Sequence, residues 1–373
     1  MDLTPQHALA LRMASLLLGE RPAAVERPAD VAGVVTWFGA LQAQDLSSGL
    51  WSLGARLPHL AAADVQAALE DREALRTWPM RGTVHLVPPR DAHWMLELMG
   101  QRALAGAAAR RAFLGLDEAV ADRAVDVLGA ALAGGGRLTR AECVARLERA
   151  GIPGAGQLGY HLLWYASQRG GTCIAPNVGT EQTFVLLDEW VPDPVRLDRD
   201  EALATIAVRY FRSHGPTTRQ DFAGWTGLTM TDTRRGIAVA GDRLARATVD
   251  GKEVFLDPVQ LDEHAVRPDS DGASGWHALP GSDEYLLGFK DRSLMLAEEH
   301  KQAIIPGGNG VFQATLVRDG RVAGTWKRST TKSRTVVEAR PLVSLRATDR
   351  KRVEAALQPY ARFTGRSVEV RWP

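Results

Sequence analysis

The sequence is poor in cysteine. Among 373 residues only Cys143 and Cys173 occur, 30 positions apart, with no CxxC pair and no nearby pair of histidines. That excludes a disulfide framework and a thiolate zinc site. Two thiols in a chain of this length suit a reducing cytoplasm, and no metal or cofactor is expected. Long apolar runs are also lacking. The N-terminal stretch MDLTPQHALALRMASLLLGERP is interrupted by His7 and Arg12 and falls short of the ~18 consecutive apolar residues that a membrane span requires. It has no basic segment leading into an apolar one and no small-residue cleavage site, so neither export nor a membrane partner is expected. Net charge is nearly absent. The 45 Lys and Arg against 44 Asp and Glu give +1, and total charge therefore selects no partner. GxSxG, HExxH and GxxxxGK[ST] do not occur, which removes the usual signatures of a serine hydrolase, a zinc hydrolase and a phosphate-binding loop.

Hydrophobic content of 45% with 24% charged residues is that of an ordinary globular protein, long enough for two to four units. Charge is unevenly distributed. From Arg318 to Arg371, 14 Lys and Arg stand against 5 Asp and Glu, a local net of +9. From Asp257 to Glu284, 7 acidic residues face one basic residue, a local net of −6. The basic tract fits either a polyanion-binding face or a solvated C-terminal surface.

Periodicity predicts helices followed by a small β-hairpin, about three times. Thr4 and Pro5 open a first helix, and the linker GERPAAVERP follows it. Asp30 opens a second helix carrying Val31, Val34, Val35 and Phe38 at helical spacing. Helices in SSGLWSLGARL and AAADVQAALED lead to β-segments REALRTWPM and GTVHLVP, joined around Arg81–Gly82. The order recurs over 119–190, where the hinge Gly134–Gly136 and the cap Thr139 precede a hairpin of TCIAPN and EQTFVLL. It recurs again over 198–257, ending in ARATVDGKEVFLD, where Asp250–Gly251 is a strong hairpin signal. Short helices and then a hairpin is the order of a winged helix-turn-helix. Residues 258–275 read as a loop. The last segment, with a hairpin at Asp319–Gly320 and β-segments TVVEARPL and SVEVRWP around a helix, is an α+β module. The expected fold is thus α+β: about three tandem winged helix-turn-helix units over 1–118, 119–195 and 196–275, then an α+β module over 276–373.

Several residues invite chemistry. Gly307, Gly308 and Gly310 precede a strand rather than a helix, so they read as a tight turn, as does Asn309. Asp283, Glu284 and Asp291 can serve acid–base work, but Asp283 and Asp291 more readily pair with Lys290 or Arg292 to fix a domain junction. His85 lies on the first wing, where Arg76 and Arg81 flank it. They are either hairpin residues or contacts to nucleic-acid phosphates. In WFGALQAQDL, Gln42 and Gln44 stand two apart. On a helix they face apart; in extended backbone they share a face.

LQAQ, WPMRGTVHLV, GPTTRQDFAGWTGL and LPGSDEYLLGFKDRS, in that order over nearly the whole chain, resemble the AlkZ-like DNA glycosylases. The resemblance implies tandem winged helices around a concave basic channel for double-stranded DNA. It implies monofunctional excision of alkylated purines, especially bulky cationic N7 adducts. Some members unhook interstrand crosslinks, and some protect bacteria that make DNA-alkylating natural products. The family signature is Gln, an apolar residue, then Gln or Asp, which Gln42–Ala43–Gln44 matches; Asp45 lies outside it. Catalysis is therefore expected from Gln42 and Gln44. DNA contacts are expected from Arg76, Arg81, His85, Lys327, Arg328, Lys332 and Arg334, in a monomer acting in the cytoplasm on nucleoid DNA. The helix holding Trp37 and Phe38 should end near Leu41. Gln42 and Gln44 should then face the channel, with Ala43 turned inward. The competing reading is a non-enzymatic winged-helix regulator, although such proteins usually read a palindrome as dimers.

Overall fold

The turn at Asp250–Gly251 fixes the register of its hairpin. Both residues have positive φ, 47° and 72°, as a two-residue hairpin turn of this hand requires. Strands Ala245–Val249 and Lys252–Leu256 pair antiparallel on either side of it. The computed structural model describes residues 1–19, 27–261 and 275–373. Most of the linker expected at 19–28 and of the loop expected at 258–275 lies outside the described residues, with much of the acidic tract.

All three expected hairpins are present, the others being Leu75–Met80 with Thr83–Val87 and Thr172–Val178 with Glu181–Leu186. By packing, the chain forms two units, Met1–Val65 with Leu203–Pro373, and Gln66–Ala202. This division is coarser than the four segments expected from sequence. The cuts at 118, 195 and 275 do not mark it, because the N-terminal helices pack with the C-terminal half of the chain. No described helix is long and apolar enough to cross a membrane.

In the discontinuous unit, Thr4 caps helix Pro5–Ser15 and Asp30 caps helix Val31–Phe38, as expected. Strand Asp2–Leu3 runs parallel to Thr248–Val249 and so adds a third strand to the Asp250–Gly251 hairpin. Leu3 and Leu11 then pack on Val249, Val254 and Leu256. The C-terminal module is a five-stranded sheet in the order Trp276–Leu279, Thr315–Arg318, Arg321–Thr330, Arg334–Pro341, Ser367–Arg371. Its last strand is parallel, because helices Ala347–Ala356 and Gln358–Thr364 carry the chain back across. An aromatic cluster fills the core. Tyr210 stacks on His214 at 4.5 Å and meets Trp225 at 5.0 Å and Phe222 at 5.3 Å. Such pairs add about 0.5–1.5 kcal/mol each beyond the area they bury.

In the continuous unit, Thr139 and Glu142 form the capping box of helix Arg140–Arg149. Helices Glu118–Leu132 and Gln157–Gln168 pack Leu128, Leu132, Leu162 and Tyr165 against Trp78, Ile174 and Phe184 of the sheet. Leu75–Met80 lies between Thr83–Val87 and Thr172–Val178 and is buried along its whole length.

The Arg56–Asp283 ion pair lies buried inside the discontinuous unit. The Arg56 guanidinium donates to both Asp283 oxygens at 2.9 Å, and Ser52 Oγ adds a donor at 2.6 Å. The partner is neither Lys290 nor Arg292, as expected from sequence. Asp283 opens the short helix Glu284–Leu287 and points into the interior, where Arg56 is. Asp291, the other residue of that expectation, pairs with Lys252 at 3.0 Å. Burial pushes the Asp283 carboxyl up, but Arg56, Ser52 and the Tyr285 N–H together outweigh it and hold it below the usual range. A carboxyl depressed on folding stabilises the fold above its unfolded pKa of about 3.9, and that stability is lost as pH falls through the lower folded value. Asp283→Ala should destabilise the protein by about 3–5 kcal/mol in urea unfolding at neutral pH, because it strands a buried guanidinium.

Candidate active site

Helix Val31–Phe38 stops where Gly39 adopts φ +80°. A left-handed residue there ends the helix, three residues before the Leu41 expected from sequence. Leu41–Gln42 is extended, and Gln44–Asp45 bends into the next helix, Leu46–Gly54. Gln42 is half-buried, Ala43 buried and Gln44 exposed. The backbone is thus non-helical through both glutamines. Ala43 packs inward, and both glutamines are more exposed than it is.

Ala43 is small because a helix backbone lies against it. A Cβ placed on Gly49 would come 2.8 Å from Ala43 Cβ and 3.5 Å from the Gln42 carbonyl oxygen. Asp45 caps the Leu46–Gly54 helix, accepting from the Ser48 N–H at 3.1 Å and the Ser48 hydroxyl at 2.6 Å. Burial opposes its ionisation, but Ser48, Ser47 and Arg328 outweigh burial and hold its carboxyl below the usual range.

Gln42 is fixed through its backbone. Its N–H donates to Glu284 Oε1 at 3.1 Å. Glu284 is only 1% exposed, and its other oxygen accepts from Trp225 Nε1 at 2.9 Å and meets His214 Nε2 at 3.2 Å. On its far side, His214 Nδ1 meets Ser213 Oγ at 2.8 Å. Nearby, Asp221 accepts from Thr217 and Thr218 through one oxygen and from the Lys290 and Asp291 N–H groups, both at 2.8 Å, through the other. The segments LQAQ, GPTTRQDFAGWTGL and LPGSDEYLLGFKDRS are thereby joined by hydrogen bonds. Sequence reasoning missed the Glu284 anchor. Its signal was the Asp283–Glu284 pair, but 242 positions separate it from Gln42.

The expected DNA-contacting residues divide. Arg328 lies beside the glutamine turn, 3.8 Å from Asp45 and over the rings of Tyr360 and Trp326. Lys327 and Lys332 are exposed. Arg334 is exposed and pairs with Glu369 at 2.8 Å. In the continuous unit, Arg81 is half-buried at its hairpin turn. Arg76 and His85 depart from the expectation of surface contacts. Arg76 is 6% exposed, donates to Asn177 Oδ1 at 3.2 Å, and is lowered by burial to about 10. His85 is fully buried, its Nδ1 2.8 Å from the Thr83 carbonyl. The physical reason for their burial is the interior position of these strands.

The model of the AlkZ-like DNA glycosylase family matches residues 35–363. An interstrand DNA cross-link repair glycosylase of Streptomyces sahachiroi is 33% identical over 288 residues, 70% of this chain and 72% of that protein. The solved structure of the Streptomyces sahachiroi DNA glycosylase AlkZ matches with a TM-score of 0.80 at 26% identity, each chain covered in full. The chain belongs to the AlkZ-like family of DNA glycosylases.

Proposed function

We propose that this glycosylase hydrolyses the N-glycosidic bond of cationic N7-alkylated purines in double-stranded DNA, with Gln42 and Gln44 as its catalytic pair. The observation that carries the reading is the non-helical Gln42–Ala43–Gln44 segment, extended at Gln42 and bending at Gln44, with Ala43 buried and Gln44 exposed. N7 alkylation puts a positive charge on the base, which then leaves without a general acid. What an enzyme still supplies is an oriented water and negative potential toward the developing oxocarbenium-like sugar. An amide is no Brønsted base, but its carbonyl oxygen does both. Glu284 holds the Gln42 backbone so that this geometry exists before substrate arrives. Repair of interstrand crosslinks, the activity in the name of the Streptomyces sahachiroi relative, is the same chemistry on two linked purines, and we extend it to this chain. Arg81, Lys327, Arg328, Lys332 and Arg334 supply phosphate contacts, so affinity falls steeply with salt.

The test is alkali-revealed strand cleavage of a duplex bearing N7-methylguanine. Wild-type protein should cleave it, Gln42→Ala and Gln44→Ala should each lower single-turnover rates by about 10²–10⁴-fold, and uracil in the same duplex should be left intact. Robust uracil excision, or full activity in both variants, overturns the reading. Gly49→Ala gives a second check, because its methyl drives into Ala43. It should cost about 1–3 kcal/mol of stability in urea unfolding and slow excision well below wild type at a temperature where the variant remains folded.

A further inference from the structure

The continuous unit contains an open pocket of about 820 Å³, a volume typical of small-ligand sites. The hairpin turn and helices Gln101–Phe113, Arg140–Arg149 and Gln157–Gln168 line it with Arg81, Arg110, Arg140, Tyr160, His161 and Trp164. Two features define what it can hold. Its walls offer planar faces: Tyr160, 36% exposed, stands edge-on to Trp78 at 6.5 Å, and His161 is tilted by 31° against Trp164 at 5.4 Å. Its charge has one sign, since the lining residues include three arginines and no carboxylate. The Arg140 guanidinium lies 5.2 Å over the Tyr160 ring, which places a cation at the edge of a stacking surface.

A third feature is an unsatisfied polar group. His161 is only 6% exposed, and its Nε2 is buried without a hydrogen-bond partner. Burial first, then Arg111 and Arg110, hold this imidazole below its ordinary range, so it is neutral near pH 7 and its ring nitrogens divide into one donor and one acceptor. A wall that offers stacking faces, a neutral hydrogen-bonding ring and guanidinium groups suits a flat heterocycle carrying an anion. Base-paired nucleotides stacked within a duplex do not offer their faces to such a wall.

We propose that this pocket binds an unpaired nucleotide, stacking its base on Tyr160 and Trp164 and pairing its phosphate with Arg140 and Arg110. The inference goes beyond excision by Gln42 and Gln44 and does not rest on it. The nucleotide comes either from a DNA strand or free from solution, and one experiment separates the sources. The full chain is titrated into a short fluorescein-labelled single-stranded oligodeoxynucleotide and anisotropy is followed, then deoxyadenosine monophosphate is added as competitor. Tyr160→Ala and Arg140→Ala remove exposed side chains and should melt near wild type. Each should weaken strand binding about tenfold, and Tyr160→Phe should restore it. If the monophosphate displaces the strand from wild type, the pocket accepts a free nucleotide. If it does not, while Tyr160→Ala still weakens binding, the base enters as part of a strand. Equal strand affinity in wild type, Tyr160→Ala and Arg140→Ala overturns the proposal, as does absence of strand binding by wild type. The readout is binding alone, so it stands or falls separately from excision.

Discussion

Two adjacent buried carboxylates organise the unit that carries the candidate site. Asp283 and Glu284 follow each other in the chain and face different partners. Asp283 takes the Arg56 guanidinium and the Ser52 hydroxyl. Glu284 takes the Gln42 N–H, the Trp225 indole and the His214 ring. Burying two neighbouring carboxyl groups is tolerable only if each is fully hydrogen-bonded. That requirement draws the Gln42 segment, helix Leu46–Gly54 and helix Arg199–His214 onto one short stretch of chain. A buried ion pair of this kind is weak support for stability as such, since a well-packed apolar pair often does as well. What it provides here is position, because each partner has one geometry in which its donors are satisfied.

Position is what the proposed amide pair needs most. A glutamine carbonyl is a weak electrostatic group, and its effect depends on being aimed beforehand. Beside the Glu284 anchor, the surrounding sequence fixes the backbone of this segment. Gly39 stops one helix by its left-handed conformation, Asp45 starts the next, and five non-helical residues lie between them, with Leu41–Gln42 extended. Gly49 permits the following helix to press on Ala43, so the segment is clamped through its apolar middle residue, with Gln42 half-buried and Gln44 exposed.

Much of the local architecture was legible in the sequence because local chemistry dictates it. Thr4–Pro5, Asp30 and the Thr139–Glu142 box mark helix starts by side-chain acceptors that any chain would use. Asp250–Gly251 marks a hairpin by the φ values it tolerates. The non-helical glutamines were legible too, although the helix ended earlier than expected because apolar periodicity runs on through Ala40 and Leu41 while Gly39 has already broken the backbone. Long-range facts were not legible. Nothing near Asp283 in the chain indicates that Arg56 is its partner, and the nearer Lys290 and Arg292 were the plausible choices. The parallel strand Asp2–Leu3 is too short to carry a pattern. The separation into two packed units follows from which helices share a core, and no linker composition records that.

The arginines explain why counting charge misjudges a basic surface. Arg12, Arg56, Arg76 and Arg111 are all buried. Arg12 donates to the Pro216 carbonyl at 2.9 Å and lies over the Phe289 ring at 4.6 Å. Arg56 donates to the Leu16 and Ser52 carbonyls as well as to Asp283. A planar guanidinium with five donors can satisfy several buried carbonyls at once, which a lysine cannot do as well. These side chains act as internal cross-links between segments distant in sequence, and their charge is unavailable to phosphate. The cations left for the surface include Lys327, Lys332 and Arg334 on the C-terminal sheet, with Arg328 held beside the glutamine turn. A chain of net charge +1 thereby keeps a locally basic surface on its C-terminal sheet, because much of its opposing charge is committed to caps and interior pairs such as Asp45, Asp221 and Asp283.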